Sequence, residues 1–375
     1  MSNRVAMRLF LLLRFLVLGL VLAGCADPTY APVQPDTGGL GDIQGVIVVT
    51  NRARTGDGFY GSGRSDVMTY QAVDVSIPRD RAMGSLPVSI RHAKPGQHFL
   101  ISGSRGLAGR DGFRTDLRQG LAALPGNERD LLVFVHGYNN SYSDGIYRTA
   151  QLMHDFDVKG LALHYSWPSA AHPLGYSHDR DSLLFARDGL EAMLRDVAGT
   201  GARNVVLVGH SLGAMLVMET LRQMDIRDPG LPDRLLNGVV LISPDIDVDL
   251  FRAQAHRIRT LPEPFAIFTS RKDRALQLSS RVNGKSERLG SLSQAEELAD
   301  LNVTVVDVTA FSTTMAQSHF TAGSSPGLIA LLSQGRALDQ TFATPNRATR
   351  AGLPGVVVTV RNATQVILSP GLLRY

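Results

Sequence analysis

Ser211 lies in Gly209-His210-Ser211-Leu212-Gly213, directly after the apolar run Asn204-Val205-Val206-Leu207-Val208 and before a helical stretch from Ala214 to Met224. A strand that breaks into G-x-S-x-G and then turns helical has the pattern of a nucleophile elbow. The turn is sharp, so a bulky side chain two residues either side of the serine would strike the neighbouring strand or helix. Glycine at 209 and 213 avoids this. The helix that follows aims its free N–H groups and the positive end of its dipole at the serine oxygen and at whatever that oxygen attacks.

A serine hydroxyl becomes a nucleophile only beside a base, and the base needs an acid to orient it. The candidate base is His319, in Gln317-Ser318-His319-Phe320, and no histidine other than His319 follows His256. Two carboxylates compete for the acid. Asp273 follows the apolar run Phe265–Thr269, the common position for such an acid, and is favoured. Asp245 follows the earlier run ending at Ile242-Ser243 and is the alternative. Arg271, Lys272 and Arg274 would also suit Asp273 to a surface ion pair. The oxyanion of an acyl transfer needs preorganised donors. One is the N–H of Leu212. The other is the N–H of Tyr138, in the loop His136-Gly137-Tyr138-Asn139-Asn140, where Gly137 lets the backbone approach a substrate. His136 and His210 read as structural neighbours of these loops. The carboxylates of Asp245-Ile246-Asp247-Val248-Asp249 fail as a calcium loop, because Leu250 stands where glycine is needed and no glutamate closes the ring. One of them reads as a helix cap. No metal and no organic cofactor is expected.

These residues need a frame. Apolar runs at 44–51, 73–77, 97–102, 130–135, 160–166, 204–208, 236–242, 265–269 and 302–308 read as strands. From residue 130 they alternate with helical patterns at 143–155, 179–197, 214–224, 249–257 and 325–332, and a further helix is expected over 114–124. Such alternation implies an α/β fold with a mostly parallel central sheet and helices on both faces. Sites in such sheets lie at the carboxyl ends of the strands, where Tyr138, Ser211, Asp245, Asp273 and His319 all fall. The loop Pro168–His178, with Trp167, Leu174 and Tyr176 around it, is the expected substrate wall.

The ends carry a different message. Arg4, Arg8 and Arg14 precede a short apolar stretch and Leu22-Ala23-Gly24-Cys25. The stretch is too short for a comfortable spanning helix and reads as a signal peptide over 1–24. Leu22–Cys25 resembles a lipobox, which makes Cys25 the expected lipidated residue. Cys25 is also the only cysteine, so no disulfide follows. Residues 25–42 read as a flexible tether, 43–340 as the catalytic domain, and 341–375 as an extension with a possible hairpin turning at Asn362-Ala363. The expected location is the bacterial envelope, lipid-anchored, with the periplasmic face of the outer membrane favoured by Ala26. The formal charge of +4 is spread along the chain. It does not gather with aromatics as a nucleic-acid site requires.

The ordered set His136-Gly137, Gly209-x-Ser211-x-Gly213, Asp273 and His319 resembles the α/β-hydrolase superfamily over residues 128–335. Val48-Val49-Thr50-Asn51-Arg52, the Tyr60-Gly61 to Arg64 stretch, Val75-Ser76-Ile77-Pro78, His136–Asn139, Tyr165-Ser166-Trp167-Pro168 and Ser243–Asp247 are together similar to the bacterial domain-of-unknown-function-900 family over about 45–335. The resemblance implies an esterase-like hydrolase of unsettled substrate. The expected activity is cleavage of a small or medium acyl ester through an acyl-enzyme at a Ser211–His319–Asp273 triad. The alternative is an envelope lipoprotein that keeps the fold for binding or assembly, with little chemistry.

Overall fold

The computed structural model describes residues 33–35, 37–56, 58–89, 92–284, 286–312, 319–332, 356–362 and 365–370. The signal segment, Cys25, the tether before residue 33 and residues 341–355 of the expected extension lie outside the described residues. Among the described residues no helix is long and apolar enough to cross a membrane.

Strands and helices follow one another as β1 (Gly41–Arg54), β2 (Tyr60–Pro78), β3 (Leu100–Gly106), α1 (Gly109–Ala123), β4 (Asp130–Val135), α2 (Tyr142–Asp155), β5 (Leu161–Ser166) and α3 (Tyr176–Val197). Then come β6 (Asn204–His210), α4 (Leu212–Arg227), α5 (Leu231–Leu235), β7 (Gly238–Ile242), α6 (Val248–Arg257), β8 (Phe265–Thr269), α7 (Arg274–Val282), β9 (Thr304–Asp307), α8 (Thr321–Ser324), α9 (Pro326–Leu332), β10 (Val356–Asn362) and β11 (Gln365–Pro370). One sheet orders them β10-β11-β9-β8-β7-β6-β4-β5-β1-β2-β3. Pairing is parallel from β11 through to β1. The β1–β2, β2–β3 and β10–β11 pairs are antiparallel.

The central strands are apolar throughout because both of their faces are covered. Leu131, Val133 and Val135 of β4 point into the same core as Leu117 of α1, Leu190 of α3, Leu216 of α4 and Phe251 of α6. Phe134 points the other way, towards Phe320 and Leu328, and α2 packs Ile146 and Met153 on that second face further along the sheet. The period of two along a strand makes this division.

Several boundaries differ from the sequence reading. β2 runs from Tyr60, well before the expected start at 73, as a long ribbon paired to β1. Its side chains are mostly polar and half-exposed there, so no apolar pattern marks it. α7 and α5 are additional helices. α3 begins at Tyr176, three residues early. β10 and β11 pair as a hairpin, and β11 also joins the main sheet beside β9.

Candidate active site

β6 ends at His210 and α4 begins at Leu212, so Ser211 alone makes the turn. Its φ of 53° and ψ of −124° are a conformation that a non-glycine residue adopts only under constraint. The constraint is local: the Ser211 N–H donates to the Ile242 carbonyl at 3.0 Å, and the Ser211 carbonyl accepts from Ala214 and Asp245. A Cβ at Gly209 would stand 2.8 Å from the Ala214 Cα. One at Gly213 would stand 2.6 Å from the Val135 carbonyl oxygen and closer still to that of His136. The two motif glycines therefore let helix α4 close onto β6 and β4. Ser211 itself is buried, at 2% exposure.

His319 Nδ1 lies 2.8 Å from Asp273 Oδ2. Asp273 is fully buried and its other oxygen accepts from the Leu276 N–H, capping α7. One carboxylate thus starts a helix and holds an imidazole. Because the carboxylate accepts, Nδ1 carries the hydrogen and Nε2 is left free to act as a base. The His319 carbonyl accepts from His210 Nε2 at 3.0 Å, and the two rings lie 4.8 Å apart. Burial, then the charge of a protonated His319, hold His210 well below the ordinary histidine range. A neutral His210 can donate from Nε2 without opposing an imidazolium at His319. His210 also places its Nδ1 2.9 Å from where a Gly137 Cβ would be, so it joins the elbow, His319 and the 136–140 loop.

Asp245 takes no part in this pairing. Its carboxylate accepts from Ser279 Oγ at 2.7 and 3.0 Å and from the Tyr176 hydroxyl at 3.0 Å, and lies 3.4 Å from Arg288 Nε. Of the two candidate acids, only Asp273 is brought to His319. Among Asp245, Asp247 and Asp249 it is Asp247 that caps a helix, accepting from the Leu250 N–H at the start of α6.

Leu212 opens α4, so its N–H is among the first-turn donors that a helix leaves without an intrahelical partner. The facing loop is fixed on both sides of Tyr138. A Cβ at Gly137 would fall 2.8 Å from that of Ser211, so the loop and Ser211 touch. Asn139, at a φ of 55°, donates its N–H to Asp179 Oδ2 at 3.1 Å. Asn140 donates its N–H to Ser169 Oγ, and its carbonyl accepts from Arg52 Nη2 at 2.8 Å. Arg52 also reaches the Gly61 and Ser169 carbonyls and Ser166 Oγ. Asp179 accepts from Ser169 Oγ and the Ala170 N–H, both at 2.6 Å. Arg52 and Asp179 were not singled out as site residues from the sequence. No pattern marks them: Arg52 lies in Thr50-Asn51-Arg52-Ala53-Arg54 and Asp179 in Ser177-His178-Asp179-Arg180-Asp181, polar stretches in which a charge is ordinary.

The expected substrate wall needs a correction. Trp167 is fully buried, stacks on His136 at 4.8 Å and donates from Nε1 to the His136 carbonyl at 2.7 Å. It braces the 136–140 loop. His136 lies in the same layer, held well below its ordinary range by burial and by Arg52. Leu174 and Tyr176 do border the loop: Leu174 is exposed, and Tyr176 packs edge-to-face on Tyr138. Among the described residues no cluster of potential metal ligands occurs.

A mostly parallel sheet, helices on both its faces and a serine at a strand–turn–helix junction define an α/β-hydrolase. The chain belongs to the family described as alpha/beta hydrolase of unknown function (DUF900), whose model matches residues 111–336. No curated protein matches it by sequence. Among solved structures it is similar to a dienelactone hydrolase from Anabaena variabilis, with 13% identity and a TM-score of 0.37 over 71% of this chain and 89% of that one. It is also similar to a thermophilic esterase from Thermogutta terrifontis, with 12% identity and a TM-score of 0.34 over 85% and 97%. A thermostable esterase from Pseudomonas putida shows 13% identity and a TM-score of 0.35 over 84% and 86%. These likenesses are loose, and the fold assignment rests on the family match and the sheet.

Proposed function

We propose that this α/β-hydrolase is a serine carboxylic-ester hydrolase held at the bacterial envelope by a lipid on Cys25. The observation that carries the chemistry is the Asp273–His319 pairing at 2.8 Å, joined through His210 to the constrained elbow of Ser211. His319 Nε2 takes the Ser211 proton as Oγ attacks the acyl carbonyl. Asp273 fixes the tautomer and stabilises the imidazolium. The N–H groups of Leu212 and Tyr138 receive the oxyanion, each such donor being worth about 3 kcal/mol in the transition state. The imidazolium returns its proton to the departing alkoxide. Water, activated by the same histidine, then releases the acyl group from Ser211. Nothing in this sequence of steps calls for a metal or an organic cofactor. The exposed loop around Leu174 suits a small or medium acyl ester.

A fluorophosphonate probe tests the reading. Wild-type protein is expected to label and Ser211→Ala to stay blank. Labelling that survives in Ser211→Ala, or that never occurs in wild type, refutes it. The anchor is tested separately: metabolic labelling with a tritiated fatty acid should mark the wild-type chain and leave Cys25→Ser unmarked. A soluble, unlabelled wild type would contradict the anchor.

A further inference from the structure

Helix α7 begins at the buried acid Asp273 and is bound to the site on one side only. Leu276 and Ser279 are buried there, and Ser279 Oγ and Asn283 Nδ2 meet the Tyr176 hydroxyl. Its other side carries Arg274, Leu278, Arg281 and Val282, spaced so that they form one stripe along the helix. Leu278 is 62% and Val282 70% exposed. Isolated exposed apolar residues are ordinary, but here two of them, one turn apart, alternate with two arginines. Residues 274–282 hold no acidic side chain. Arg274 and Arg281, with Lys272 before the helix, are exposed and form no ion pair among the described residues. Because Tyr176 ties α7 to the loop carrying Leu174, a third exposed apolar side chain, at 87%, stands at the same end of the molecule.

We propose that the outer stripe of α7 docks on the headgroup region of an anionic phospholipid surface, turning the mouth of the Ser211 site towards it. A basic helix face with apolar side chains is the composition that settles into such an interface. An acidic protein would use the arginines but leave Leu278 and Val282 against polar surface. The docking goes beyond the hydrolase reading and does not require turnover.

Trp167, the only tryptophan of the chain, is fully buried, so Leu278→Trp adds one exposed reporter. The full-length variant is reconstituted into phosphatidylcholine vesicles with and without phosphatidylglycerol, part of the lipid being brominated near the headgroup. With the anionic lipid present, emission of the new tryptophan should shift to the blue and be quenched, whereas wild-type emission should not change. Adding Arg274→Gln and Arg281→Gln should weaken the contact about fivefold per arginine, read as the ratio of quenched to unquenched tryptophan at a fixed anionic-lipid fraction. Absence of quenching, or equal quenching in purely zwitterionic vesicles, overturns the proposal. Fluorophosphonate labelling of the same samples reports an intact site. A blank there, with quenching intact, would refute the hydrolase reading and leave the docking standing.

Discussion

Asp273→Asn and Asp245→Asn should fail in opposite ways. In Asp273→Asn the remaining oxygen still accepts from the Leu276 N–H, now 3.1 Å from Oδ1, so the cap of α7 survives. The amide turned to His319 offers a donor where an acceptor stood at 2.8 Å. The imidazole then flips tautomer and presents a hydrogen, not a lone pair, to Ser211. Loss of the orienting acid in serine triads costs roughly 10⁴ in kcat, or about 5.5 kcal/mol of transition-state stabilisation. The melting temperature should move by less than about 3 °C. Asp245→Asn keeps acceptors for Ser279 and Tyr176 but removes the charge 3.4 Å from Arg288, which is only 3% exposed. Leaving a buried cation without its partner costs about 3–5 kcal/mol. This variant should lose stability and keep its rate within about tenfold per folded molecule. Hydrolysis of a short chromogenic ester, normalised to folded protein by circular dichroism, reads both. An Asp273→Asn variant that retains more than about a tenth of the activity would refute the assignment of the acid. A 10⁴-fold loss in a fully stable Asp245→Asn would refute it equally.

Three further outcomes follow from the geometry. Gly137→Ala brings a methyl within 2.8 Å of the Ser211 Cβ and should abolish probe labelling while thermal melting survives; normal labelling would contradict the contact. Arg52→Lys cannot span the carbonyls of Gly61, Asn140 and Ser169 that the guanidinium joins. It should cut kcat about 10²-fold with little change in KM, because it loosens the oxyanion loop and not the binding surface; a change confined to KM would refute that role. His136, His164 and His210 are kept neutral by burial, His164 down to about 3. The unfolded chain takes up protons on them below about pH 6.5 and the native protein does not, so stability is full above that pH and declines as the pH falls below it. The decline approaches about 1.4 kcal/mol per pH unit for each histidine, and a melting temperature that stays flat from about pH 7 to about pH 5 would contradict it.

Some of this could be read in the chain because backbone sterics leave little choice. The Gly209 and Gly213 positions face main-chain atoms at distances that admit no side chain, so they mark the elbow in any context. The parallel strands were legible because burial on both faces makes them apolar runs. The choice between Asp273 and Asp245 was not fixed by pattern. Both follow strands at the carboxyl edge, and only the packing of Tyr176, Ser279 and Arg288 commits Asp245 elsewhere. α7 escaped notice because its buried face amounts to Leu276 and Ser279 within nine largely polar residues. Trp167 was read as a wall because aromatic residues beside a site line pockets as often as they brace them. Its partner, the His136 carbonyl, is 31 residues away. The pairing of β11 with β9 likewise joins backbones more than fifty residues apart, which no local period records.

The most direct measurement is capture of the acyl group itself. Wild-type protein mixed with a series of p-nitrophenyl esters and quenched in acid within milliseconds should carry the acyl mass on the peptide containing Ser211. Ser211→Ala should carry none, and His319→Ala should accumulate none on the same timescale. An acyl adduct on another residue, or product release with no adduct in wild type under any ester, would contradict nucleophilic catalysis at Ser211.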